Sequence, residues 1–141
     1  MPFRAGIKEA AKMLAGLDLQ QREKILELIV KKDPQMAEVL RKNIVTLEDL
    51  KFATVKMLQE FLREISLQDL GLALRVASPE VQEHIRSSVS RSMREEIDFY
   101  LKGKPQPVAN VQKAYQTVVD TMLTHVEQGK LVLKAGGEEY V

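Results

Sequence analysis

Residues 54–90 read "TVKMLQEFLREISLQDLGLALRVASPEVQEHIRSSVS", and this stretch decides the fold class. A hydroxyl side chain recurs about every 12 residues, at Thr54, Ser66, Ser78 and Ser90, and an apolar stripe at helical spacing follows each one. Such side chains are preferred N-caps because their oxygen accepts a hydrogen bond from an orphan N–H of the first helical turn. Pro79 suits a first helical position, which needs no N–H. The pattern predicts short helices joined by brief turns.

The same signals continue on both sides of this stretch. Upstream, Asp18 and Asp33 are predicted to cap two helices. Downstream, Ser90 opens a helix that Lys102-Gly103 ends, and the longest helix is predicted over 108–127.

Apolar residues at i, i+3, i+4 and i+7 predict the inward face of each helix. The first helix has Ile7, Ala10, Ala11 and Leu14, and the next two have Ile25, Leu28, Ile29, Met36, Val39 and Leu40. The helix after Ser90 has Met93, Ile97, Tyr100 and Leu101, and the longest has Val111, Tyr115, Val118, Met122 and Val126.

No segment alternates polar and apolar residues between hairpin turns, so the fold class is predicted to be all-α. Short helices with brief turns favour helix pairs stacked as an armadillo-like, right-handed superhelical bundle. A bend near residues 44–46 is predicted to separate an N-terminal lobe, 1–45, from a C-terminal lobe, 46–141. After Gly129 we expect a short extended tail with a Gly-Gly turn.

The composition excludes several classes of function. The chain has no cysteine, so a thiol nucleophile and a cysteine zinc site are impossible, and a cytosolic location is the default expectation. The formal net charge is +1, which predicts no attraction to nucleic acid. No apolar run reaches the roughly 20 residues of a membrane span.

Residues suited to catalysis are sparse. His84 and His125 are the only histidines, and neither has a partner at a helical metal-site spacing. The glycines lack the order of a phosphate-binding loop, and no GxSxG elbow is present. We therefore expect no enzyme activity, cofactor, metal or small-molecule substrate, which leaves a binding or structural role.

Charges concentrate in residues 86–104, "RSSVSRSMREEIDFYLKGK". The i, i+4 spacing predicts ion pairs from Arg91 to Glu95 and from Arg94 to Asp98, which support their own helix. Phe99 lies away from the apolar stripe, and an exposed aromatic side chain among charges can mark a contact with a partner, although isolated exposed apolar residues are also common on protein surfaces.

Three segments resemble the C-terminal region of the bacterial flagellar motor switch protein FliG: "DLGLALRVAS", "VANVQKAYQTVV" and "GKLVLKAGGEEYV". The upstream "GLDLQQREKILELIVKKDPQMAEVLRK" is also similar, so the resemblance covers about residues 6–141. It implies an armadillo-like bundle followed by a six-helix C-terminal subdomain, in a rotor ring at the cytoplasmic face of the inner membrane. The implied partners are the stator subunit MotA, the switch protein FliM and neighbouring FliG-type subunits, with no cofactor and no reaction catalysed.

The resemblance also implies positions for function. The family's stator-facing charges are, in chain order, a lysine, an arginine, two adjacent aspartates and a second arginine. They fall on Arg75, Ser92, Phe99, Tyr100 and Pro107, so only Arg75 keeps a charge. The possible substitutes are Arg91, Arg94, Glu95 and Asp98. The family's hinge motif falls on Ile44, Val45, Thr46 and Leu47, which keep three apolar side chains but no aromatic ring.

Three hypotheses follow for the function. The chain is a rotor switch component of the FliG type, or a diverged FliG-like paralogue or adaptor that keeps the scaffold without the stator contacts. The third hypothesis, an unrelated helical enzyme or ligand-binding domain, rests only on the size of the chain and a groove between its lobes.

Overall fold

The structure, a computed structural model, describes residues 2–133, with side chains at 6–18 and 20–133. Within this range every regular element is helical, which confirms the predicted all-α class. The elements are α1 (Pro2–Ala15), α2 (Leu19–Lys32), α3 (Pro34–Asn43), a 3-10 helix (Leu47–Phe52), α4 (Val55–Leu62), α5 (Leu67–Leu74), α6 (Pro79–Ser87), α7 (Arg91–Leu101) and α8 (Val108–Glu127).

The chain divides into two compact units, Met1–Thr46 and Leu47–Val141. The first contains α1 to α3, and the described part of the second contains the 3-10 helix and α4 to α8.

Hydroxyl caps set the starts of α4 to α7. The side-chain oxygens of Thr54, Ser66, Ser78 and Ser90 each accept from the N–H three residues ahead, at 3.0–3.3 Å. Each cap satisfies one of the first-turn donors that have no partner within the helix. The four caps predicted from their spacing are confirmed.

The N-terminal unit packs around four buried side chains, Ala11, Leu14, Leu26 and Leu40. Asp18 and Asp33 cap α2 and α3 as predicted, accepting from the N–H groups of Gln21 and Met36. Arg22 holds the end of α1 from α2, because its guanidinium donates to the carbonyls of Leu14 and Leu17.

The predicted inward faces of α2 and α3 are correct only in part: Ile29, Met36 and Leu40 lie in or against the core, but the other predicted residues do not. Ile25 and Leu28 are 38% and 61% exposed, and the buried residue of α2 is Leu26. In α3, Val39 is also exposed, while Ala37 and Leu40 are buried. Apolar residues cover much of the circumference of α2, so spacing alone does not decide which side α1 and α3 cover.

The core of the C-terminal unit includes fully buried side chains from all of its helices. They are Leu50, Leu58, Phe61, Leu70, Leu74, Val81, Ile85, Ile97, Val118 and Met122.

Helix α8 has the predicted bounds but differs at its last turn. Val118 and Met122 are buried as predicted, whereas Val126 is partly exposed and His125 takes the core position. The residue three places after Met122, rather than four, therefore faces the core, because a 3.6-residue repeat makes both positions neighbours of Met122.

Gly129 ends α8 in the left-handed conformation, with φ +76°, as predicted for a stop signal. The N–H groups of Lys130 and Leu131 then donate to the carbonyl of His125, and Leu131 and Leu133 are buried. The predicted Gly-Gly turn lies outside the described residues.

Candidate partner-binding surface on α7

Helix α7 carries most of the candidate contact residues. Of its predicted apolar face, Ile97 is fully buried, while Met93, Tyr100 and Leu101 are half-buried. One side of α7 therefore lies on the core of the C-terminal unit, and the opposite side is exposed to solvent.

Gly71 of α5 allows the backbones of α5 and α7 to pack in close contact. A Cβ placed on Gly71 would lie 2.6 Å from the Cβ of Tyr100 and 2.8 Å from the carbonyl oxygen of Ile97. Both distances are shorter than real Cβ contacts, so a larger residue would push the helices apart. This contact was not predictable from sequence, since Gly71 lies inside an apolar helical run.

Arg75, the one predicted stator-facing position that keeps its charge, is half-buried and hydrogen-bonded within the chain. Its Nε and Nη2 donate to the carbonyl of Tyr100 at 2.9 and 2.7 Å, and Nη1 donates to the carbonyl of Lys104 at 2.9 Å. These carbonyls end α7 and follow it, where helical partners are missing and the helix dipole is negative. The guanidinium thus caps the end of α7.

Asp98 forms a bidentate ion pair with Arg86 of α6. Arg86 Nε lies 2.8 Å from Oδ1 and Nη2 lies 3.0 Å from Oδ2, and each side chain is about a quarter exposed. The hydrogen bonds from Arg86 lower the pKa of Asp98, and the charges of Lys102 and Arg94 lower it further. The hydrogen bonds to Asp98 likewise raise the pKa of Arg86, to which nearby Glu83 contributes.

This pairing corrects one sequence prediction. Asp98 pairs with Arg86 and, at 3.8 Å, with Lys102, and not with Arg94. The Nε of Arg94 is buried without a hydrogen-bond partner among the described residues. Arg86 was missed because it lies 12 residues away on another helix, where no periodicity links the two side chains.

The predicted pair between Arg91 and Glu95 is present. Arg91 Nε lies 3.2 Å from Glu95 Oε2, with the side chains 88% and 68% exposed. Screening leaves such a pair worth only about 0.3–0.5 kcal/mol. Both charges are therefore presented to solvent, in contrast to those of Arg75 and Asp98.

The four predicted stator-facing positions that are neutral in this chain also lie mostly on the surface. Ser92 and Pro107 are exposed, Tyr100 is half-buried, and Phe99 is 71% exposed with its ring set edge-on to Tyr100 at 5.0 Å between centroids. Pro107 occupies the N-cap position of α8, which has no side-chain cap. Phe99 is thus a large apolar side chain in a charged surrounding.

The predicted hinge lies where the two units meet along the chain. Ile44 ends α3 in an extended conformation, Val45 and Thr46 are half-buried, and Leu47 is buried as the first residue of the 3-10 helix. The division between units falls between Thr46 and Leu47.

The two histidines lie in different surroundings. His84 places Nε2 2.8 Å from the carbonyl oxygen of Ala53. His125 is buried edge-on to Phe61, with Nε2 3.1 Å from a Glu64 oxygen but not aligned for a hydrogen bond. No group of three ligand-type side chains suited to a metal ion occurs among the described residues.

Within residues 2–133, no helix combines the length and hydropathy that crossing a bilayer requires. The fold and the α7 surface define an all-helical scaffold that presents a charged helix.

Comparison with known proteins gives the family. The chain belongs to the FliG C-terminal domain family, whose model matches residues 27–133. It is 29% identical to the flagellar motor switch protein FliG of Thermotoga maritima over 96% of this chain, and 29% identical to that of Bacillus subtilis over 94%. These matches cover 41% and 39% of the relatives, so the chain spans about two fifths of their length.

Solved structures agree with the family. Full-length FliG from Aquifex aeolicus superposes with a TM-score of 0.57 at 26% identity, covering 88% of this chain and 39% of that one. A FliG fragment from H. pylori gives 0.61 at 17% identity over 91% of this chain and 57% of that one, which supports the fold alone.

The predicted resemblance to FliG is confirmed, so the chain is not unrelated to that family, as the third hypothesis assumed. The relatives are named as motor switch proteins, not as enzymes.

Proposed function

We propose that this chain is a component of the rotor switch complex of a bacterial flagellum, acting through contacts with other proteins. The observation that carries the proposal is the family match from α2 to residue 133, which includes all of α7. The proposed location is the cytoplasmic face of the inner membrane. The proposed partners are the stator subunit MotA, the switch protein FliM and neighbouring FliG-type subunits, and the segment 44–47 is proposed as a hinge.

The stator contact is proposed to use the exposed charges of α7. Arg75 and Asp98 are engaged in internal bonds, whereas Arg91 and Glu95 present their charges to solvent. Complementary charge at a contact steers the encounter and fixes its register, so exposed charges are the ones suited to it.

Charge reversal in a strain lacking its own copy of the gene tests this contact. We expect Arg91→Glu to reduce the swimming rate in soft agar, with the chain still folded because the lost helix pair is worth only about 0.3–0.5 kcal/mol. Lys42→Glu is the matched control, since Lys42 and Glu38 form a similarly exposed i, i+4 pair on α3. Normal swimming of the deletion strain would end the proposal. Equal swimming of both variants would end the role of Arg91.

One observation favours a second function, that of an adaptor which keeps the scaffold and binds a different protein. Phe99 is 71% exposed where the family has a charge, and a large apolar side chain of this kind suits a hydrophobic contact. Phe99→Asp should then abolish capture of that partner without altering swimming. Unchanged recovery of MotA and FliM by this variant, with no partner lost, would rule the adaptor out.

A further inference from the structure

The hydrogen bonds of Arg75 suit a residue that holds segments of the chain together better than one that presents its charge to a partner. Its guanidinium spans two backbone carbonyls, Tyr100 in the last turn of α7 and Lys104 in the α7–α8 turn, which we define as residues 102–107. A planar fork with fixed donor directions holds both carbonyls at once, and a single ammonium group does not reproduce that geometry. Arg75 therefore links the end of α5 to two successive pieces of chain.

Gly103 adds a second constraint at the same place. A Cβ at Gly103 would lie 2.8 Å from the carbonyl oxygen of Phe99 and 3.5 Å from Nη2 of Arg75. The backbone of the α7–α8 turn thus passes close to both the guanidinium and the end of α7. This closeness leaves little room for the turn to move while the three hydrogen bonds are in place.

Fixing the α7–α8 turn also affects residues on the exposed side of α7. Phe99 directly precedes Tyr100, whose carbonyl Arg75 binds, and its ring rests edge-on against that of Tyr100. Lys102 and Lys104 lie in the held turn and are exposed. We propose that Arg75 is a positioning residue, which fixes the α7–α8 turn and with it the placement of Phe99 and the two lysines, and does not itself touch the partner. Its importance for partner binding rests on the function proposed above, but its positioning role does not.

The test uses the purified chain labelled with fluorophenylalanine, and compares Arg75→Lys with Arg91→Lys. Both variants keep the positive charge, but only Arg75 forms the forked bonds, since Arg91 is 88% exposed. We expect Arg75→Lys to lower the melting temperature by about 4–8 °C, as loss of one net hydrogen bond would in a unit of this size. Arg91→Lys should change it by less than about 1 °C.

The positioning role is read from the 19F spectrum of the folded protein. Arg75→Lys should shift the Phe99 signal, identified with Phe99→Leu, while the signal of buried Phe61 stays in place. An unmoved Phe99 signal, or equal shifts of both signals, would overturn the proposal. Because neither measurement needs a motor, failure here is distinct from failure of the swimming test.

Discussion

The ion pair between Arg86 of α6 and Asp98 of α7 allows a quantitative prediction for Asp98→Asn. The substitution keeps the shape of the side chain but removes the charge that Arg86 binds through two hydrogen bonds of 2.8 and 3.0 Å. Charge-assisted hydrogen bonds contribute about 1.5–3 kcal/mol when well buried, and fully exposed ion pairs contribute about 0.2–1 kcal/mol. With both side chains about a quarter exposed, we expect a loss of about 1–2 kcal/mol in the free energy of unfolding.

The effect of pH on this loss has a definite sign. The pKa of Asp98 is lower in the folded chain than its ordinary value of 3.8, so folding favours the ionised form. The stabilisation is therefore complete well above pH 3.8 and is lost as the pH falls through the lowered folded pKa. The difference in stability between the wild type and Asp98→Asn should be constant from pH 6 to 7 and should shrink in more acidic solution.

Thermal unfolding followed by circular dichroism measures the loss, at about 4–8 °C for each kcal/mol in a unit of this size. Amide exchange in α7 assigns the change to the C-terminal unit. Glu83→Gln is the matched control, because Glu83 also binds Arg86, at 2.9 Å, but is 70% exposed. Equal shifts for the two variants, or an Asp98→Asn effect that persists unchanged at pH 2, would refute the reasoning.

Two further predictions concern glycine and capping. Gly71→Ala should cost about 1–2 kcal/mol in urea unfolding despite the better helix propensity of alanine, because its Cβ would lie 2.6 Å from that of Tyr100. Gly6→Ala, with no atom within 4 Å of the added Cβ, should not destabilise, and equal losses at the two positions would contradict the steric argument. Ser90→Ala should cost about 1 kcal/mol by removing the cap of α7, while Ser92→Ala on the exposed side should cost under about 0.5 kcal/mol. Thermal unfolding of the two serine variants checks this difference, and equal stabilities would show that the cap contributes nothing.

Local features of the fold were predictable from the sequence because their causes are local. A capping oxygen and the N–H that it binds are three residues apart, so Thr54, Ser66, Ser78 and Ser90 could be recognised one helix at a time. The left-handed stop at Gly129 depends on one residue.

Some features that depend on packing between helices were not predictable, although Val118 and Met122 were correctly predicted to be buried. Leu28 and His125 illustrate this, since apolar spacing placed the first inside and gave no reason to bury the second. The positions predicted to face the stator came only from the family resemblance. Whether a charge there is available depends on partners such as the carbonyls bound by Arg75, which lie 25 and 29 residues away in the chain.

The close approach at Gly71 has a mechanical consequence. Where side chains separate two helices, a lateral load can be absorbed as the side chains change rotamer. Between α5 and α7 the contact at Gly71 brings backbone against backbone, with little compressible material at that point. A displacement of α7 by a force on its exposed side would therefore be transmitted to α5, and the two helices would move together as one rigid unit.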